Sequence, residues 1–148
     1  MARRTFFSFH HVRDNWRVGQ VRNCWVTQQR EAAGFWDAAE WEKVKLQTPE
    51  KIREWIDKQL VGTSVTVVLI GHETSTRPYV KYEIEQSIAR GNGLLGIFIH
   101  NMKDVEGKTD LKGTNPLPAG YKTYDWVNDD GRSNIGDWIE AAAKAANR

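Results

Sequence analysis

The sequence predicts a three-layer α/β fold, in which a central parallel sheet of about five strands carries helices on both faces. Val65–Ile70 and Leu94–Ile99 are apolar at nearly every position, so both faces of these strands should be covered by protein. Between the predicted strands lie segments with apolar residues three and four positions apart, a spacing that predicts helices. Strands that alternate with helices imply right-handed crossovers and a parallel sheet.

The amino-terminal part of the chain predicts a strand, a helix and one ambiguous segment. The aromatic-rich run Arg4–Phe9 is typical of a strand. A helical pattern begins at Asp14, and its apolar stripe consists of Val18, Val21 and Trp25. Residues 34–37 fit either a short second strand or an ordered loop.

Two prolines indicate where the next helices begin. Thr48 and Pro49 offer a capping hydroxyl and a proline at the first helical position. The apolar face that follows consists of Ile52, Trp55, Ile56 and Leu60, and Gly62 ends the helix. Pro78 opens another helix, which ends at residues 91–93 and has a predicted buried stripe of Val80, Ile84 and Ile88.

The carboxyl-terminal part predicts a long surface loop over residues 101–123, because it holds two prolines, three glycines and many polar residues. A short edge strand is predicted at Tyr124–Val127. Ser133 then caps a last helix, whose inward residues are Ile135, Trp138, Ile139, Ala142 and Ala146. We interpret residues 1–148 as a single domain of ordinary size.

Composition narrows the functional classes. The net charge is +2, and basic residues are scattered among acidic ones, so the chain lacks the basic patch of a nucleic-acid-binding protein. No apolar run is long enough for a signal peptide or a membrane span. The single cysteine, Cys24, cannot form an intramolecular disulfide and fits a cytoplasmic protein.

Two conspicuous motifs do not predict the sites that they resemble, although a role for the histidines in holding a polar ligand stays open. Residues 91–96 spell the dinucleotide-binding pattern GxGxxG, but that motif must follow a strand and open a helix. Here it follows a helix and leads into a strand, so we interpret it as a helix cap. His10 and His11 follow the first strand without further ligands at metal-binding spacings, so no metal site is predicted.

The segment from Val65 to Glu83 points to a ligand site, because ligands of open parallel sheets bind beyond the carboxyl ends of the strands. On a helical wheel, Glu83 and Glu85 lie about equally far from the predicted buried stripe, on opposite flanks. Lys81 is placed to pair with Glu85, whereas Glu83 shares its flank with Tyr79. Helical geometry alone leaves the choice between the two glutamates open.

The chain resembles the bacterial TIR-like proteins of the Thoeris anti-phage defence system, the ThsB-like TIR family. The resemblance rests on the order and spacing of several segments, each of which is weak by itself. These segments are Phe6–His10, Asn23–Thr27, Thr63–Gly71, Tyr79–Ile84, Gly96–His100 and Tyr124–Val127.

The resemblance implies a flavodoxin-like TIR fold and an enzyme that cleaves NAD+ as its substrate and needs no cofactor. Nicotinamide would be released, and the remainder would become a cyclic or modified ADP-ribose signal that activates a separate effector protein. A phage-derived trigger and a homo-oligomer on activation are also implied. In this family the catalytic glutamate lies four residues after an aromatic residue, a spacing that Glu83 has with Tyr79 and Glu85 lacks.

The glycosidic bond of NAD+ explains how one carboxylate could suffice. Its leaving group is a pyridinium that departs as neutral nicotinamide, so no acid is needed, unlike in ordinary glycosidases. An ionised Glu83 could stabilise the oxocarbenium-like transition state. The candidate substrate-binding residues that shape the pocket are Ser8, His10, Asp37 and Tyr79.

Two other functions remain open on sequence alone. Many relatives carry tryptophan where this chain has Tyr79, which leaves room for a non-enzymatic TIR-like adaptor that signals by self-association. A nucleoside transferase on a similar sheet would also use a glutamate against a sugar carbon. A phospho-receiver domain fits less well, because Ser8 and His10 stand where it would carry acidic residues.

Overall fold

The computed structural model describes residues 4–10, 13–27, 32–33, 43–44 and 46–148. In these ranges five strands form one fully parallel sheet in the order β2-β1-β3-β4-β5. The strands are β1 (Thr5–Ser8), β2 (Ala32–Ala33), β3 (Val65–Ile70), β4 (Gly93–Phe98) and β5 (Thr123–Asp125). This is the strand order of flavodoxin-like sheets, so the predicted fold is confirmed.

Four α-helices cover the two faces of the sheet in the described ranges. They are α1 (Asn15–Thr27), α2 (Pro49–Leu60), α3 (Pro78–Ala89) and α4 (Gly131–Ala145). Residues of α1 and α4 share one core with β3 and β4, and residues of α2 and α3 pack against the opposite face. No helix in the described part of the chain has both the length and the apolar character to cross a membrane.

Most of the predicted strands and helices are confirmed, and the structure shows the local interactions that form them. Every residue of β3 and β4 is buried, as expected for central parallel strands. The hydroxyl of Thr48 accepts a hydrogen bond from the Lys51 backbone N–H, which caps α2. Gly62 follows α2 with a φ of +80°, a conformation that glycine adopts without strain.

The predicted buried stripe of α3 is wrong at one end. Val80 and Ile84 are buried, but Ile88 is 40% exposed, and Glu83 and Ser87 are buried instead. The inward face is therefore rotated toward Glu83. The reason is tertiary: α3 contacts α2 and β1 as well as β3 and β4, so its buried arc is centred between these neighbours.

The carboxyl-terminal boundaries also differ from the prediction. Helix α4 begins at Gly131, two residues before Ser133, after Asp130 in a left-handed conformation. A side chain at residue 131 would collide with the buried Trp126 ring, so packing fixes this start. Strand β5 covers Thr123–Asp125 rather than Tyr124–Val127. The ambiguous residues 34–37 lie outside the described ranges.

Candidate active site

Ser8 and Glu83 meet near the carboxyl edge of the sheet. Ser8 is the last residue of β1, and Glu83 lies in the second turn of α3. The Ser8 hydroxyl donates a hydrogen bond of 2.8 Å to Oε1 of Glu83. Ser8 shares its side of β1 with Phe6, because strand residues two apart point the same way, and Phe6 packs against α2. The strand pattern therefore directs Ser8 toward the layer that contains α3.

The structure separates the two glutamates that helical geometry left equivalent. Glu83 is only 3% exposed, whereas Glu85 is exposed to solvent. Below Glu83, the Ser87 hydroxyl donates to the Glu83 carbonyl at 2.7 Å and lies 2.7 Å from the Thr66 hydroxyl on β3. These contacts fix the rotation of α3 against the sheet and hold Glu83 inward.

Burial changes the acid–base behaviour of Glu83. Desolvation raises the pKa of its carboxyl to about 8, and the hydrogen bond from Ser8 acts in the opposite direction. At neutral pH the side chain is therefore largely protonated. A positive charge that entered the site would favour its ionised form. Carboxylates with strongly raised pKa values are concentrated at functional sites.

His10 lies two residues beyond Ser8 at the rim of the site and is partly buried. Its Nδ1 accepts a hydrogen bond of 3.4 Å from the Arg13 backbone N–H. Burial and the neighbouring Arg77 and Arg13 lower its pKa, while Glu73 acts in the opposite direction. The imidazole is therefore neutral at physiological pH and able to exchange a hydrogen bond with a polar ligand.

Tyr79 lies one helical turn before Glu83 and is partly buried. Its ring packs against the cluster formed by Phe6, Ile52, Ile56 and Leu60. It is thus placed on the α2 side of α3, on the flank that it shares with Glu83. The remaining candidate, Asp37, lies outside the described residues.

Sequence reasoning missed a buried ionic network beside the site. Asp14 is 1% exposed and Arg17 5% exposed, and their charged groups are 3.9 Å apart. Arg13 bridges two loops, with ion pairs of 3.0 Å to Glu73 and 2.9 Å to Asp110. In the sequence, the only indication of this network was that Arg13, Asp14 and Arg17 follow β1 in close succession. Their partners lie far away in sequence and are visible only in the folded chain.

This network fixes the loops at the carboxyl edge. The Thr74 hydroxyl accepts a hydrogen bond of 2.8 Å from the Gly71 N–H and faces the Asp14 carboxylate at 3.4 Å. A side chain at residue 71 would overlap that carboxylate, so a larger residue there would displace Asp14. Within the described ranges, no three histidine, cysteine or acidic side chains are grouped as metal ligands.

Replacing Ser8 by alanine should raise the pKa of Glu83 further, because the variant loses the hydroxyl that stabilises the ionised carboxylate. The measurement is a pH titration of the Glu83 side-chain carboxyl carbon by NMR in both proteins. Ser133→Ala on the exposed surface of α4 is the control and should leave the titration unchanged. An unchanged or lower pKa in Ser8→Ala would show that the hydroxyl does not stabilise the charge.

Comparison with known proteins places the chain in a family. Residues 6–104 match the model of the family described as Thoeris protein ThsB, TIR-like domain. The chain is also 43% identical, over 141 residues, to a Bacillus cereus (strain MSX-D12) protein named "Putative cyclic ADP-D-ribose synthase ThsB1". The aligned region covers 93% of this chain and 72% of that relative. The chain therefore belongs to the family of Thoeris ThsB TIR-like domains.

Proposed function

We propose that this protein is an NAD+-cleaving enzyme of anti-phage defence. It releases nicotinamide and converts the remainder into a cyclic or modified ADP-ribose that activates a separate effector protein. The observation that carries the proposal is the buried Glu83 held by the Ser8 hydroxyl at the carboxyl edge of the sheet. Membership of the Thoeris family and the printed name of the relative support it.

In the proposed reaction, the bond between the ribose carbon C1′ and the pyridinium nitrogen breaks. Its electron pair goes to the nitrogen, so nicotinamide leaves uncharged and no general acid is required. The ribose develops positive charge, which the Glu83 carboxylate stabilises. The Ser8 hydroxyl, 2.8 Å from Oε1, holds that carboxylate in one orientation.

The raised pKa of Glu83 suits a cationic substrate. Burial raises the pKa of this carboxyl to about 8, so the side chain is mostly neutral at pH 7. The pyridinium of bound NAD+ carries a positive charge into the same low-dielectric surroundings, where attraction between opposite charges is strong. Substrate binding would therefore ionise Glu83 where the charge is needed, and a neutral analogue would not.

Cyclisation requires a second nucleophile from the same ADP-ribose to reach C1′ before water does. It forms the new bond to C1′ and gives up its proton, so atoms and charge balance. A site that excludes water favours this outcome over hydrolysis. We assign the shaping of that site to Ser8, His10, Asp37 and Tyr79.

The experiment is incubation of the purified protein with NAD+, followed by chromatography and mass spectrometry of the products. We expect free nicotinamide together with a product of the mass of ADP-ribose less one water, or an ADP-ribose conjugate. Family members are expected to become active in response to a phage-derived trigger and as homo-oligomers. The assay therefore includes lysate from infected cells and a crosslinked assembly.

Self-association without NAD+ turnover in any of these conditions would favour the adaptor. Turnover of free deoxynucleosides would instead favour the transferase.

A further inference from the structure

Charged side chains lie near His10 at the carboxyl edge of the sheet, two residues beyond the Ser8 that contacts Glu83. Arg13 donates its backbone N–H to His10 at 3.4 Å and pairs with Glu73 at 3.0 Å. Arg77 lies near enough to His10 to disfavour its protonated form. These residues follow β1 and β3, which are adjacent strands, so they meet at the edge where ligands of such sheets bind.

The two arginines near His10 differ in what they contact. Arg13 is neutralised by Glu73 and by Asp110, which lies 2.9 Å away. Arg77 is exposed, and in the described part of the chain its side chain has neither an ion pair nor a hydrogen bond. Its guanidinium is therefore available to an incoming anion without the loss of an existing contact.

The position of Arg77 relative to Glu83 suits a substrate with a charged group near its reacting carbon. Arg77 directly precedes α3, and the six residues from there to Glu83 span about 9 Å along a helix axis. In NAD+ one ribose separates C1′ from the diphosphate. A ribose with C1′ at Glu83 and its 5′ carbon directed outward would bring the diphosphate toward the edge that carries Arg77 and His10.

We propose that Arg77 binds the diphosphate of NAD+ and, with His10, makes the site specific for dinucleotides over nicotinamide riboside. This inference rests on the proposed function. The planar guanidinium presents parallel N–H donors that match phosphate oxygens, and such charge-assisted bonds are among the stronger ones in proteins. Nicotinamide riboside has the same glycosidic bond but no diphosphate, so it would gain nothing from Arg77.

The first test measures binding without turnover. ADP-ribose is titrated by calorimetry into Glu83→Gln protein that carries, in addition, no change, Arg77→Gln, Arg77→Lys or Arg90→Gln. Arg90 is the matched control, because it is an exposed arginine at the opposite end of α3. Loss of one charged hydrogen-bonding group should weaken binding by about tenfold or more in Arg77→Gln. Arg77→Lys should retain part of the affinity, and Arg90→Gln all of it.

The second test uses enzymes with Glu83 intact. Arg77→Gln should raise KM for NAD+ by about tenfold with little change in kcat, and should leave cleavage of nicotinamide riboside unchanged.

Equal ADP-ribose affinity in Arg77→Gln and Arg90→Gln, or no binding at all, would overturn the assignment. NAD+ cleavage with an unchanged KM in Arg77→Gln would also overturn it, while the proposed function stands. Arg77-dependent ADP-ribose binding without NAD+ cleavage would support the subsite and contradict the proposed function.

Discussion

Glu83→Gln should abolish nicotinamide release from NAD+, with a loss of about a thousandfold or more. Glutamine is nearly the same size and can still accept a hydrogen bond from Ser8, whose hydroxyl donates to the wild-type carboxylate at 2.8 Å. It cannot carry the negative charge that faces the developing oxocarbenium. Removal of one preorganised electrostatic group typically costs about 10²–10³ in kcat, and here the group is the proposed source of nearly all the stabilisation. Chromatographic quantification of nicotinamide measures the loss.

Glu85→Gln is the matched control for this experiment. Glu85 lies on the same helix two residues away, but its side chain is exposed, so its replacement should leave turnover within about twofold of the wild type. Near-normal turnover in Glu83→Gln would reject the assignment of Glu83. Equal losses in both variants would point to a general effect on α3 instead.

A stability measurement checks that Glu83→Gln is folded and tests the burial of the carboxylate independently. The folded pKa of about 8 lies above the reference value of 4.5, so the folded state holds a proton that the unfolded state has lost between these two values. Wild-type stability should therefore fall as pH rises through this window. Glu83→Gln lacks this loss, so its melting temperature relative to the wild type should increase from pH 5 to pH 9. A pH-independent difference would contradict the raised pKa.

Arg17→Leu should destabilise the protein by about 3–5 kcal/mol, as expected when one partner of a buried ion pair is removed. The guanidinium donates hydrogen bonds to the carbonyls of Met102 at 2.8 Å and Lys108 at 3.0 Å. Its removal leaves these carbonyls without that donor and weakens the charge balance around the buried Asp14. Urea denaturation measures the change in the free energy of unfolding, with Arg22→Leu on the exposed side of α1 as the control.

The cost of Arg17→Leu should also depend on pH. Burial raises the pKa of Asp14 to about 6, while Arg17 acts to lower it, so the variant should hold this proton to a still higher pH. At pH 5 Asp14 is largely protonated with or without Arg17, and no bare charge is left behind. The destabilisation should therefore be smaller at pH 5 than at pH 8. An equal cost at both values would indicate that the carbonyl hydrogen bonds alone account for the role of Arg17.

The elements that sequence reasoning predicted well are those with local physical causes. Strands β3 and β4 are apolar on both faces because both faces are covered, and prolines with a capping hydroxyl mark where helices begin. The boundary of α4 could not be predicted this way, because it depends on how Gly131 fits against Trp126. The same holds for Ile88, whose exposure follows from the position of α3 between its neighbours.

The order of apolar and polar residues was enough to predict the parallel α/β architecture and the helix that carries the candidate glutamates, and the family spacing favoured Glu83. The packing of separate elements buries Glu83 against Ser8 and leaves Glu85 facing solvent. It also brings Arg13, Asp14 and Arg17 to their partners in distant loops. The reason is physical: periodicity records which faces of an element are apolar, whereas the partner of a polar side chain depends on how separate elements pack.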